Sequence, residues 1–160
     1  MTTDSTASSR PNLPRAWWPA AVWICLIAFE STDFFSSEHT GGMLYTLLTR
    51  LFGPIDHYKF DVFHHYLRKT GHFVGYGTLS LLLLRGWRAT FRHVPALLLR
   101  AVLLSWLGTA MVAGLDEWHQ TYIPSRTGTI WDVLLDSVAG VAFLVIAYIW
   151  LRRGNEVLTP

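Results

Sequence analysis

A single cysteine, Cys25, is all that 160 residues carry. It lies within an apolar run, so neither a disulfide within one chain nor a cysteine-built metal site is available. Charge is scarce too: Asp, Glu, Lys and Arg make up 15% of the chain, against about 25% in an ordinary soluble domain. The formal net charge of +2 offers no general attraction for nucleic acid. Zinc-finger spacing, a glycine-rich phosphate loop and a basic stripe with interleaved aromatics are all missing. So are HExxH and a G-x-S-x-G elbow, which leaves Ser125 and Ser137 as turn and packing residues.

What is present is apolar. Hydrophobic residues are 51% of the chain, aromatics 14%, and there are eight tryptophans. That balance points to an all-α, polytopic membrane bundle. Crossing about 30 Å of hydrocarbon takes roughly 20 helical residues. Four segments qualify as expected spans: about 16–35 ("AWWPAAVWICLIAFESTDFF"), 70–87 ("TGHFVGYGTLSLLLLRGW"), 97–115 and 129–151. Residues 1–15 read as a polar, disordered tail, and 152–160 as a short cytoplasmic one. The first apolar run ends in "FESTDFFSS", with no small-x-small cleavage pattern, so it reads as a retained span.

The connection from Ser36 to Lys69 is long. Within it, "GGMLYTLLTRLFG" sets Met43, Leu44, Leu47, Leu48 and Leu51 at helical spacing but is too short to span. An amphipathic helix lying at the interface is expected. "DHYKFDVFHHYLRK" then leads helically into the second span.

Lys and Arg set the expected orientation. The turn "RGWRATFRH" carries no acid, and with Arg10, Arg15, Arg100, Arg152 and Arg153 it marks one side as cytoplasmic. Both termini then lie inside, and the two polar connections lie outside. Trp17, Trp18, Trp87, Trp131 and Trp150 fall near span ends, as an aromatic belt requires.

This topology gathers the unusual polar residues at the outer end. Lys69, His72 and Tyr76 share one helix face. Glu117 and Gln120 follow the third span, Arg126 lies in the next connection, and Asp132, Asp136 and Gly140 share a face of the fourth. Charge facing lipid is costly, so these groups are expected to face the bundle interior. Lys69, Arg126 and His72 are the cations to set against Glu117, Asp132 and Asp136.

"RKTGHFVGYGTL" followed by "DEWHQTYIPSRTGTIWDVLLDSVAG" resembles the VanZ-like family of small bacterial membrane proteins, over roughly Ala16 to Trp150. The pattern is carried by Lys69, His72, Tyr76, Asp116, Glu117, Gln120, Arg126, Asp132 and Gly140, and "STDFFSSEHT" looks like the polar element after the family's first span. Asp136 departs from it, standing where many members carry Asn. The resemblance implies a multi-pass fold in a bacterial cytoplasmic (inner) membrane, and a site. It links the chain by name to low-level teicoplanin resistance and supplies no reaction.

Three readings follow from this inventory. In the first, Lys69, His72, Tyr76, Glu117, Gln120, Arg126, Asp132 and Asp136 bind an anionic head group of a lipid-linked cell-wall intermediate. In the second, the chain is a membrane enzyme with Glu117 or His72 as base. In the third, the cluster only locks helices together, as hydrogen-bonded polar groups between spans do. His57, His64, His65 and His119 lack ligand spacing, so neither metal nor other cofactor is expected. Gly71, Gly75 and Gly77 are expected to permit close helix approach. Partners are the bilayer and that envelope intermediate, with no nucleic acid.

Overall fold

The computed structural model describes residues 12–156, apart from the side chains at 37, 38, 155 and 156. The described residues are mostly helical, and no strand occurs among them. They form α1 (Leu13–Glu30), α2 (Ser37–Phe52), α3 (His57–Thr90), α4 (Leu98–Gln120) and α5 (Ile130–Glu156). The tail expected over 1–15 lies outside the described residues up to Pro11, and Leu13 already belongs to α1. At the other end α5 continues to Glu156, and residues 157–160 lie outside the description.

Local signals account for the helix ends. Asn12 caps α1 by accepting from Arg15 N at 3.3 Å, and a proline stands in the first turn. Asp56 caps α3, accepting from Lys59 N at 3.0 Å. Thr129 caps α5, its hydroxyl accepting from Asp132 N at 3.2 Å. Pro19 sits inside α1 and cannot donate to the Arg15 carbonyl. That carbonyl accepts instead from Arg85 Nη2 of α3, at 3.1 Å. A backbone group freed by proline is thus satisfied by a neighbouring helix.

Helix α3 is the axis of the bundle. It packs on α1, α4 and α5, and α4 packs on α5. The helix runs unbroken from the polar connection into the apolar segment, as its sequence suggests. Beside Leu79, Leu83, Leu84 and Leu144, many interior residues are small or hydroxyl-bearing. Ala20, Ala101, Ala113 and Ala139 are buried, as are Ser80, Ser105 and Thr109, whose hydroxyls donate to carbonyls of their own helices. A Cβ at Gly77 would stand 2.6 Å from the Phe143 ring, and one at Gly86 would stand 2.7 Å from Trp17. Close approach at these two glycines brings α5 and α1 onto α3. Gly71 and Gly75 differ from that expectation, since a Cβ there would meet nothing within 4 Å.

Large apolar side chains point outward, among them Leu99, Leu103, Leu107, Met111 and Leu115 of α4. Small residues inside and long aliphatic ones outside suit a bundle solvated by hydrocarbon. Pro95–Gln120 and Ile130–Gly154 are each long and apolar enough to cross a membrane. A third candidate is α1 taken with Asp33–Phe52, a pair bent by 72°. Helix α2 leaves Met43, Leu47 and Leu51 exposed along one stripe, with Met43 at 75%.

Candidate functional site

The polar residues converge where the N-terminal half of α3 meets the end of α4 and the start of α5. The expected face of α3 meets its neighbours one turn at a time. Lys69 forms an ion pair with Asp132. One turn on, His72 Nδ1 lies 3.3 Å from Asp136 Oδ2. Another turn on, Tyr76 OH donates to Asp116 Oδ2 at 2.9 Å, and Gln120 Nε2 donates to the same oxygen at 3.1 Å. Every acid here has a partner on at least one oxygen. Glu117 Oε2 accepts from Thr129 N at 2.8 Å. Gly128 makes that bond feasible, because a Cβ there would collide with the Glu117 carbonyl.

Two expected pairings are different in the structure. Arg126 makes no ion pair with a described carboxylate. Its Nη2 donates to Glu30 O at 2.6 Å and Thr32 O at 3.0 Å. These carbonyls lie at the open end of α1, where the helix has no acceptor-satisfying turn of its own. Glu117 likewise makes no direct bond to His72. The imidazole faces Asp136, although ligand atoms of His72, Glu117 and Asp136 all lie within 4.8 Å of one another. Ser125 is a turn residue whose hydroxyl donates to Asp33.

Sequence reasoning missed Arg68 and undervalued Asp116. Arg68 Nη1 donates to Phe35 O at 3.2 Å, and no described carboxylate pairs with it. A signal existed: His64, Arg68 and His72 recur every four residues, so they share a face. Burial pushes the Arg68 guanidinium below its usual range, and neighbouring Arg126 adds to that, opposed by Asp132 and Glu117. Burial also lowers Arg126, against the pull of Asp116, Glu117, Asp33 and Glu30. Both stay charged, because arginine starts so far above neutrality.

Two cavities meet at these residues. A polar one of about 580 Å³ is lined by Tyr45, His57, Asp61, Lys69, Ser125 and Asp132 among others. An apolar groove of about 590 Å³ runs along Trp23, Ile27, Leu44, Leu67, Gly71 and Val74. His64, Arg68, His72, Gln120 and Arg126 line both. The bare helix surface at Gly71 and Gly75 helps keep the groove open, and Trp23 Nε1 donates to the Gly75 carbonyl at 2.9 Å.

Of the residues expected at the site, Lys69, His72, Gln120, Arg126 and Asp132 line the polar cavity. Tyr76 lines the groove, while Glu117 and Asp136 sit behind, 4% and 0% exposed. Their Oε1 and Oδ1 atoms are buried without a hydrogen-bond partner, as is Arg126 Nε. No curated protein and no solved structure matches the chain. A family model does, the one described as VanZ/LLP1, over residues 16–151. That match takes in all five helices apart from their outermost turns, and with it the whole polar cluster, so the chain belongs to the VanZ/LLP1 family.

Proposed function

We propose that the protein binds an anionic lipid-linked component of the cell envelope, head group in the polar cavity and hydrocarbon in the groove. One observation carries this reading: the two cavities share a wall that holds two arginines without carboxylate partners. Like charges at close quarters are held apart only at a cost, and an anion between them removes it. A planar guanidinium suits phosphate or carboxylate because it donates two parallel bonds. Lys69 with Asp132, and Gln120 beside them, would orient the sugar or peptide part.

The membrane arrangement is part of the proposal. Helices α1, α3, α4 and α5 cross the bilayer, with both termini cytoplasmic and the cluster in the outer leaflet of the bacterial cytoplasmic membrane. Helix α2 lies at the outer interface on its stripe of Met43, Leu47 and Leu51. The bond from Arg85 Nη2 to the Arg15 carbonyl, freed by Pro19, ties the start of α1 to α3 and supports α1 as a member of the bundle. Altered glycopeptide sensitivity, teicoplanin included, is the phenotype this location leads us to expect.

Native mass spectrometry of the protein from mild detergent tests the reading. Wild type should retain a polyprenyl-phosphate-type or other anionic lipid that Arg68→Gln and Arg126→Gln lose at equal fold and abundance. The same lipids on all three proteins would refute it. An enzymatic version draws on His72, which faces both cavities and is held by Asp136 as a general base is held by its orienting group. Glu117 is walled off from both, so in that version it positions rather than attacks. Turnover of the retained lipid, lost in His72→Gln while binding persists, would separate catalysis from binding.

A further inference from the structure

We infer that His72, Glu117 and Asp136 form a binding site for one divalent metal ion, of the zinc or manganese class, in the floor of the bundle beneath the polar cavity. The site does not depend on the lipid reading. Three helices each supply one side chain: α3 gives the imidazole, α4 and α5 the carboxylates. Their ligand atoms lie within 4.8 Å of one another. Metal–ligand bonds of about 2.0 to 2.6 Å place opposite ligands roughly 4 to 5 Å apart. The set therefore closes on an ion by small side-chain rotations.

The second observation is independent of clustering. Glu117 Oε1 and Asp136 Oδ1 are buried and accept no hydrogen bond. Asp116, close by, has its Oδ2 satisfied by Tyr76 and Gln120, and Asp132 is paired with Lys69. The two acids with an orphaned oxygen are thus the two that stand together with His72. Buried polar oxygens are almost always satisfied, so a bare oxygen on each of these two clustered acids calls for a partner. A divalent ion supplies it and balances charge: two carboxylates and a neutral imidazole around M²⁺ sum to zero.

The second oxygen of Glu117 is held as a metal site needs. Thr129 N fixes Glu117 Oε2 at 2.8 Å, and Gly128 lets the chain come that close. Such outer contacts set the direction of the ligand oxygens. Mixed nitrogen and oxygen donors favour zinc, manganese or ferrous iron over calcium. Three protein ligands leave further positions open, as catalytic sites do and closed structural ones do not. This departs from the sequence-based expectation of no metal, which considered the histidines as the nucleus of a site and found no spacing for one.

The test uses the full chain with its affinity tag removed, in detergent. Metal content is measured by mass spectrometry after dialysis, and Zn²⁺ and Mn²⁺ are then titrated separately. Wild type should bind about one ion per chain, and Asp136→Asn and Glu117→Gln should each weaken binding by at least about tenfold. His93→Gln, in the turn after α3, should bind like wild type. Co²⁺ loading gives a second readout, a visible spectrum that His72→Gln shifts. Failure of both metals to bind wild type, or equal binding by the ligand variants, would overturn the site. So would an infrared band of a protonated carboxyl, removed by Asp136→Asn, in metal-free protein that takes up no metal. Lipid retention by the same samples reads the other proposal separately.

Discussion

The two ends of the bundle are built on opposite plans. At one end α3 meets α1, α4 and α5 through Leu84, Ala101 and Leu144, through the stacked Trp87 and Phe91, and through glycines that accept whole rings. At the other end the same helix meets its neighbours through Lys69, His72 and Tyr76, with cavities beside them. Helices in lipid gain little from burying apolar surface, so van der Waals contact between close backbones must hold the bundle. The close-packed end supplies that contact and leaves the polar end free to keep open space and unpaired charge. Stability and binding should therefore respond to different residues, and each prediction below tries to separate them or force them together.

The largest separation is expected at the arginines. Replacing Arg68 by Gln removes a charge that forms no ion pair with a described acid. A hydrogen bond to a charged group contributes about 1.5–3 kcal/mol, so retention of an anionic lipid should weaken roughly 10- to 100-fold. The bundle should lose little, since only the bond to the Phe35 carbonyl goes with it. Titration with lipid in nanodiscs, alongside a melting curve, measures both. A large drop in melting temperature with affinity intact would reverse the roles assigned to the two ends.

Gly86→Val should do the converse. Its new Cβ meets the Trp17 ring at 2.7 Å, at the close-packed end of α3. Overpacking of this kind costs about 1–3 kcal/mol. Thermal unfolding in detergent should fall accordingly, while lipid retained per folded molecule stays near wild type. Loss of lipid in parallel with stability would mean that the two ends move as one unit.

How much of this division was legible in the sequence depends on the kind of interaction. The spacing of Lys69, His72 and Tyr76 announced one face, and the structure brings all three to acids on α4 and α5. Side-chain identity was enough there, because opposite charges and donors seek one another. Arg126 was placed at the site but given the wrong partners, since its acceptors are carbonyls of Glu30 and Thr32. Every residue owns a carbonyl, and only the fold says which ones lie open. Arg68 was hidden among neighbouring charges, Lys69 beside it and Lys59 earlier on the same helix. The glycines of α3 look alike in sequence, yet Gly77 is filled by a ring while Gly71 borders open space. What fills the space beside a glycine is a long-range fact.

That last contrast can be sharpened directly. Gly71→Leu has room at its Cβ and removes a poor helix former, which favours the helix by about 0.5–1 kcal/mol. Its melting temperature should hold or rise. The new side chain enters the groove, so a long-chain anionic lipid should bind several-fold more weakly, on the order of one to a few methylenes displaced at about 0.8 kcal/mol each. Inorganic phosphate or a short-chain analogue, needing only the polar cavity, should bind as before. Equal weakening of short and long ligands would show that the groove and cavity do not divide the lipid between them.

The smallest effect tests the corner where α2 meets α3. His64 is buried there, stacked on Phe60, with Thr40 Oγ1 3.5 Å from its Nε2 and Gly41 close against the ring. Burial lowers its pKa from 6.5, Arg68 lowers it further, and Asp61 opposes both. The sign then follows from proton binding. As pH falls below 6.5, the unfolded chain takes up the proton before the folded one does, so folding stability declines. The loss continues until the folded imidazole itself titrates, and then levels off. Wild type should lose more melting temperature between neutral and mildly acidic pH than His64→Gln does, by a few degrees at most. Subtracting the variant cancels every pH effect that the two proteins share. Over that window the folded imidazole stays neutral, so it adds no charge beside Arg68 and Arg126 at the wall that both cavities share. Any part that His64 plays in anion binding should therefore stay constant while the corner loosens, and a pH-dependent loss of binding that His64→Gln abolishes would show that packing at this corner and binding at the wall are coupled.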